Sequence, residues 1–161
     1  MATAEKNDGL TVALPSDTTT MVALDVGAPR QYVYQAWTTP EFISRWMGVD
    51  GVEVASVEVD LRVGGAYRWV ILANGSDWGF HGEYLEVVPG ERLLYTDIFE
   101  NDPAMSTFKL VTFTDNNERT NMTIHTQFNR KEHRDLQLTP HWQRGLEGLR
   151  GHLERVSLSI H

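Results

Sequence analysis

The sequence predicts an α+β fold in which a curved antiparallel sheet of about seven strands wraps around a long C-terminal helix. Three observations carry this. Residues 18–26 and six further runs between 52 and 128 alternate apolar and polar side chains with period two. Short turn-like segments separate most of the later runs, which makes neighbours antiparallel. Beyond residue 139 the period changes to that of a helix.

Taken in order, residues 1–17 mix small, polar and charged types, with only Leu10, Val12 and Leu14 as an alternating trace. They are expected to be a flexible tail, with an edge strand as the alternative for the trace, and 18–161 as the folded domain. Thr18–Val26 sets Met21, Ala23 and Asp25 against Thr20, Val22, Leu24 and Val26, a strand ending at Gly27. Ala28-Pro29 opens a helix with Val33, Ala36 and Trp37 on its apolar face. A second short helix follows, with a Thr38 or Thr39 hydroxyl as N-cap, Pro40 and Glu41 in its first turn, and Gly48 at its end. Its buried side is Phe42, Ile43 and Trp46.

The six later strands are Val52–Val59, Ala66–Ala73, Trp78–Val88, Glu91–Phe99, Thr107–Thr114 and Arg119–Phe128. Asn74-Gly75-Ser76, Pro89-Gly90 and Asp115-Asn116-Asn117 are the turn signals among them. Thr139-Pro140 then reads as an N-cap and first-turn proline. Trp142, Leu146, Leu149, Leu153 and Val156 follow at i, i+4, i+7, i+11 and i+14, one face of a helix. Gly145, Gly148 and Gly151 lie within it, marking close approach of other backbone, space left for a ligand, or a weak helix end.

Composition narrows the function classes. The 161 residues contain no cysteine, which excludes disulfides, thiolate metal sites and a cysteine nucleophile. A net charge of −8 argues against nucleic acid as a partner. No segment approaches the ~20 apolar residues that span a bilayer, so the expected setting is the cytoplasm without membrane attachment. Glu132-His133 and His141 lack the HExxH spacing, and neither a GxSxG elbow nor a GxxxxGK[ST] loop occurs. Neither a metal nor a cofactor is expected.

Several short motifs, in order, resemble one family. Ala28-Pro29, Ala36-Trp37-Thr38-Thr39-Pro40-Glu41, Arg45-Trp46, Asp60 to Gly65, Gly82 to Pro89, Glu91-Arg92-Leu93, Thr120, and Trp142 with Leu146 and Leu149 are similar to the homologues of the activator of the heat-shock-protein ATPase. This family lies in the START-like (SRPBCC) superfamily, which includes polyketide cyclases and birch-pollen-allergen-like proteins. The resemblance spans roughly residues 18–156 and implies a helix-grip fold with an internal hydrophobic cavity. It does not imply what the cavity does.

Alternation assigns a concave, aromatic-rich face: Tyr67, Trp69, Phe80, Tyr84, Tyr95, Phe99, Phe113, Met122 and Ile124 from the sheet. Trp46, Trp142, Leu146 and Leu149 would close it from the helices. Each of these side chains could equally serve as packed core. Gly64-Gly65 suggests a sharp bend, with Asp60 and Arg62 as a surface ion pair beside it. Among His81, Glu83, Asp97, Glu100, His125, His133 and His141, Asp97 shares the face of Tyr95 and Phe99 and is the candidate catalytic carboxylate. His81 and Glu83 fall on the solvent side.

The leading expectation is a module that binds a small hydrophobic or aromatic molecule. A cyclase- or dehydratase-like enzyme using Asp97 with Tyr84 or Tyr95 is the first alternative. Co-chaperone contact with a heat-shock ATPase ranks below both, since 161 residues leave no room for the larger activator's additional N-terminal domain. A symmetric homodimer is compatible with the sequence, which shows no interface signature.

Overall fold

A computed structural model describes residues 4–7 and 9–160, with side chains described from residue 9 onward. One antiparallel sheet of nine strands runs in the order β1-β2-β3-β9-β8-β7-β6-β5-β4. Its strands are β1 (Ala4–Asn7), β2 (Leu10–Ser16), β3 (Thr19–Val26), β4 (Glu53–Val59), β5 (Ala66–Ala73), β6 (Ser76–Val88), β7 (Arg92–Phe99), β8 (Ser106–Asn116) and β9 (Arg119–Phe128). The helices are α1 (Arg30–Thr38), α2 (Pro40–Met47), α3 (Lys131–Gln137) and α4 (Pro140–Leu158). The expected α+β helix-grip architecture is present: α1 and α2 carry the chain from β3 to the far edge strand β4, and α4 packs against α1, α2 and β3.

The expected seven strands are joined by two more within the presumed tail. Leu10 pairs with Leu24 and Val12 with Val22, so β2 extends the sheet, and β1 pairs with β2 in turn. Burial supplies the reason: Leu10 is 1% exposed and Val12 8%, so the alternating trace is a core-facing strand. The part of the expected tail at residues 1–3 and 8 lies outside the described residues.

The N-cap expected of the second short helix is corrected as well. Thr39 stands at the N-cap position of α2, but its hydroxyl makes no capping bond, and the Thr38 hydroxyl instead donates to Tyr34 O at 2.8 Å. At α4 the expected cap is present, with Thr139 Oγ1 accepting from Trp142 N at 3.1 Å.

Turn chemistry sets the meander. Asn74 and Gly75 both have positive φ between the paired residues Ala73 and Ser76, a two-residue hairpin that is tighter than the turn expected over Asn74-Gly75-Ser76 and starts β6 at Ser76. At the β8–β9 hairpin the positive-φ pair is Asn117-Glu118, slightly later than the expected Asp115-Asn116-Asn117. The 60–65 segment makes the sharp bend, Gly64 N donating to Tyr84 O at 2.8 Å and Tyr84 N to Gly65 O at 2.9 Å. Arg62 and Asp60 pair at 2.9 Å on the surface beside it.

Helix α3 was not anticipated, because seven mostly charged residues carry no apolar stripe. It is held through Arg134, 8% exposed, whose Nη1 donates to Ser16 O at 2.5 Å. The three glycines of α4 do not mark tight packing, since a Cβ at any of them would meet nothing closer than 3.8 Å. Gly145 and Gly148 instead border a shallow groove between α4 and the segment after α2. Among the described residues, no helix is long and apolar enough to cross a membrane.

Candidate functional site

Residues paired across an antiparallel ladder project to the same side, so the concave face is organised in rows. Tyr84, Tyr95, Lys109, Thr126 and Thr20 form one row across β6, β7, β8, β9 and β3. Leu93, Val111, Ile124 and Val22 form the next across β7, β8, β9 and β3. Helices cover these rows without filling the space beneath, leaving a cavity of about 160 Å³.

One side of the cavity is apolar, made by Val22, Trp37, Trp69, Ile124, Trp142 and Leu146. Trp37 is fixed by stacking on Trp46, with centroids 5.0 Å apart, and Trp69 meets both edge-on. Polar groups gather along the other side. Lys109 Nζ donates to Thr126 Oγ1 at 3.2 Å, and Thr20 Oγ1 donates to Gln137 Oε1 at 3.4 Å. Tyr67 donates its hydroxyl to Asp97 Oδ1 at 2.6 Å and to Thr96 O at 2.9 Å.

Low polarity shapes the ionisation here. Desolvation draws the Lys109 ammonium below its ordinary 10.5, against the field of Asp97, which favours the charged form. Lys109 retains some accessible surface, and it lines the cavity. Burial, then the Asp97 charge, pushes the Tyr67 and Tyr95 hydroxyls well above the usual phenol range, which keeps both as neutral groups. The buried Trp69 indole nitrogen has no hydrogen-bond partner among the described residues. The cavity can thus hold a compact apolar body and offer donors and one carboxylate to a polar group.

The sequence profile described as Activator of Hsp90 ATPase homolog 1-like protein matches residues 27–154. The chain belongs to this family. Solved structures agree on the fold. A protein from Rhodobacter sphaeroides superposes with a TM-score of 0.86 at 17% identity, covering 94% of this chain and 99% of that one. One from Nitrosomonas europaea gives 0.80 at 22%, over 91% and 97%. One from Chromobacterium violaceum gives 0.71 at 30%, over 86% and 99%. No curated protein matches the sequence.

In this Activator of Hsp90 ATPase homolog 1-like chain, the expected site residues divide into two groups. Tyr67, Trp69, Tyr95, Ile124, Trp142, Leu146 and Asp97 line the cavity. The others do not. Trp46 is buried behind Trp37, its indole donating to Ala36 O at 2.7 Å. Tyr84 lies among Tyr67 and Tyr95, Phe113 packs edge-on against Tyr34, and Met122 is fully buried, so these three are core. Phe80 and Phe99 stack with Trp78 along the sheet, outside the cavity lining. Leu149 borders the groove beside α4 instead. His81 and Glu83 turn away as expected, His81 pairing with Glu100 at 2.7 Å and Glu83 exposed.

Five lining residues beyond the expected face matter most: Trp37, Lys109, Thr20, Thr126 and Gln137. Lys109 lies two residues before Val111 and four before Phe113, so alternation alone puts it on their face. A lysine inside an apolar row runs against the usual rule that lysines are exposed, which is why residue type hid what parity showed. Gln137 required the unanticipated helix α3.

Proposed function

We propose that this protein binds a small molecule of about one aromatic ring, with its body against Trp37, Trp69, Ile124 and Leu146 and its polar group at the Lys109–Thr126 side. The observation that carries this is the cavity's two-sided lining, apolar where Trp37, Trp142 and Leu146 of the helices meet Val22, Trp69 and Ile124 of the sheet, and polar along the sheet row of Lys109, Thr126 and Thr20. Size bounds the ligand. A cavity of about 150 Å³ takes one benzene ring, whereas drug-sized ligands occupy about 300–1,000 Å³. At about 160 Å³ the space favours a monocyclic or short-chain compound.

That size weighs against the cyclase-like alternative, whose folded polyketide substrate spans several rings. Protein docking has weaker support. Among the described residues the exposed large apolar side chains are few: Leu61, Val63 and Leu85 at or beside the 60–65 bend, and Phe108, Leu136 and Leu158 singly on β8, α3 and α4.

Native mass spectrometry of freshly purified protein, set against its denatured mass, looks for a retained small molecule. In parallel, thermal unfolding is followed with one-ring and three-ring aromatic compounds. One-ring compounds should raise the melting temperature, and Leu146→Trp, which fills the cavity, should abolish the rise. Stabilisation by three-ring compounds alone, or a rise that survives Leu146→Trp, would overturn the reading.

A further inference from the structure

We propose that Lys109 forms a Schiff base with a small aldehyde or ketone held in the cavity. The inference deepens the ligand-binding reading and rests on it. Lys109 lines a cavity large enough for a one-ring carbonyl compound, and the one hydrogen-bond partner of its amine among the described residues is Thr126 Oγ1, of another lining residue. No carboxylate of the described residues lies within ion-pair distance to lock it as an ammonium. Surface Lys131 shows the contrast, tied to Asp135 at 2.8 Å.

Desolvation supports the geometry, since it favours the neutral amine, the nucleophilic form. The Lys109 nitrogen adds to the carbonyl carbon, and the carbon–oxygen π pair moves to oxygen. The resulting carbinolamine closes the carbon–nitrogen double bond as the carbon–oxygen bond breaks. Both protons of the neutral amine leave with that oxygen as water, so no oxidant or other reactant is required. The proton passes from nitrogen to oxygen through water, and Asp97, which lines the same cavity, favours the positive charge that forms on nitrogen along the way. Its hydrogen bond from Tyr67 fixes the carboxylate in place.

The chain contains three lysines, Lys6, Lys109 and Lys131, which makes the site easy to read. The full-length protein is treated at neutral pH with benzaldehyde and cyanoborohydride, which reduces an imine to a stable benzylamine. Peptide mapping then locates the benzyl group. Burial lowers the pKa of Lys109 while the Asp135 pairing raises that of Lys131, so Lys109 holds the larger neutral fraction and should be labelled first. Excess benzyl alcohol, which has the same shape and no carbonyl, should protect it.

Equal labelling of the three lysines, or labelling of Lys109 that benzyl alcohol does not slow, overturns the proposal. Tryptophan fluorescence without reductant separates the two levels. If benzyl alcohol and benzaldehyde both bind while Lys109 stays unlabelled, the covalent step is wrong and the ligand reading stands. If neither binds and Lys109 is unlabelled, both fail. Lys109→Met should lose the labelling at this position while the chain still folds.

Discussion

Tyr67 reaches Asp97 across strand β6 over a residue that has no side chain. Its ring passes Gly82, its register partner on β6, and its hydroxyl meets Asp97 Oδ1 on β7 at 2.6 Å. A Cβ on Gly82 would stand 2.8 Å from Tyr67 Cε1 and 1.7 Å from Thr96 O. The glycine is therefore a condition of the hydrogen bond.

Gly82→Ala should displace Tyr67, break this bond, and destabilise the fold by about 1–3 kcal/mol through overpacking. Tyr67→Phe should remove the hydroxyl's bonds to Asp97 and Thr96 O without crowding the strands, at about 1–2 kcal/mol. Urea unfolding measures both. A Gly82→Ala protein as stable as the original would show that the strands shift freely at this point.

Lys109 predicts a pH effect of defined sign. Its folded-state value lies below 10.5 because burial disfavours the ammonium, with Asp97 pulling the other way. Between that lowered value and 10.5 the unfolded chain binds more protons, so stability rises with pH through the window. Below the window the cost of burying the charge is fully present. Tyr67 and Tyr95, held neutral in the fold but ionising near 10.0 once unfolded, oppose this at the top of the window in both proteins, so the two profiles are compared by their difference. Lys109→Met should therefore be the more stable protein at pH 7, with its advantage shrinking toward pH 10 by about 1.4 kcal/mol per unit of depression. Parallel pH profiles for the two proteins would mean that Lys109 is solvated.

What could be read before the structure follows from which signals are local. The period-two runs and the stripe from Trp142 to Val156 report burial residue by residue, and they located β3 to β9 and α4 within a few positions. The cavity is different. Whether an inward-facing ring packs or lines space depends on what the covering helix brings. Trp46 and Trp69 share one aromatic cluster, yet Trp37 covers the first and leaves the second at the cavity. Gln137 and Thr20 meet only because α3 packs back against β9, the neighbour of β3, a contact between positions 117 residues apart that no local pattern encodes.

The N-terminal segment is a working part of the core. Leu10 is 1% exposed and pairs with Leu24, and the adjoining β2–β3 turn holds Arg134 through Ser16 O. Leu10→Ala should cost about 2–5 kcal/mol, the range for emptying a buried leucine site. A loss below about 0.5 kcal/mol in urea unfolding would return this segment to the status of a dispensable tail.

On the outer face, Glu100 joins three strands. It accepts Arg68 Nε and Nη2 from β5, both at 2.9 Å, and contacts His81 Nδ1 from β6 at 2.7 Å. The Arg68 guanidinium first, and His81 after it, hold the Glu100 carboxyl at about 2 instead of 4.5. The folded-state value is depressed, so the stabilisation is complete above 4.5 and is lost as pH falls toward 2. The carboxylate keeps 26% of its side-chain surface exposed, and solvent screening limits the pairing to about 1 kcal/mol. Glu100→Gln should flatten the acid limb of the stability profile between pH 4.5 and 2. Gly79→Ala should do the same from a distance, because a Cβ there would lie 2.4 Å from Glu100 Oε1 and push the carboxylate off its partners. If Gly79→Ala lowers stability equally at every pH, the glycine serves strand packing and not the placement of Glu100.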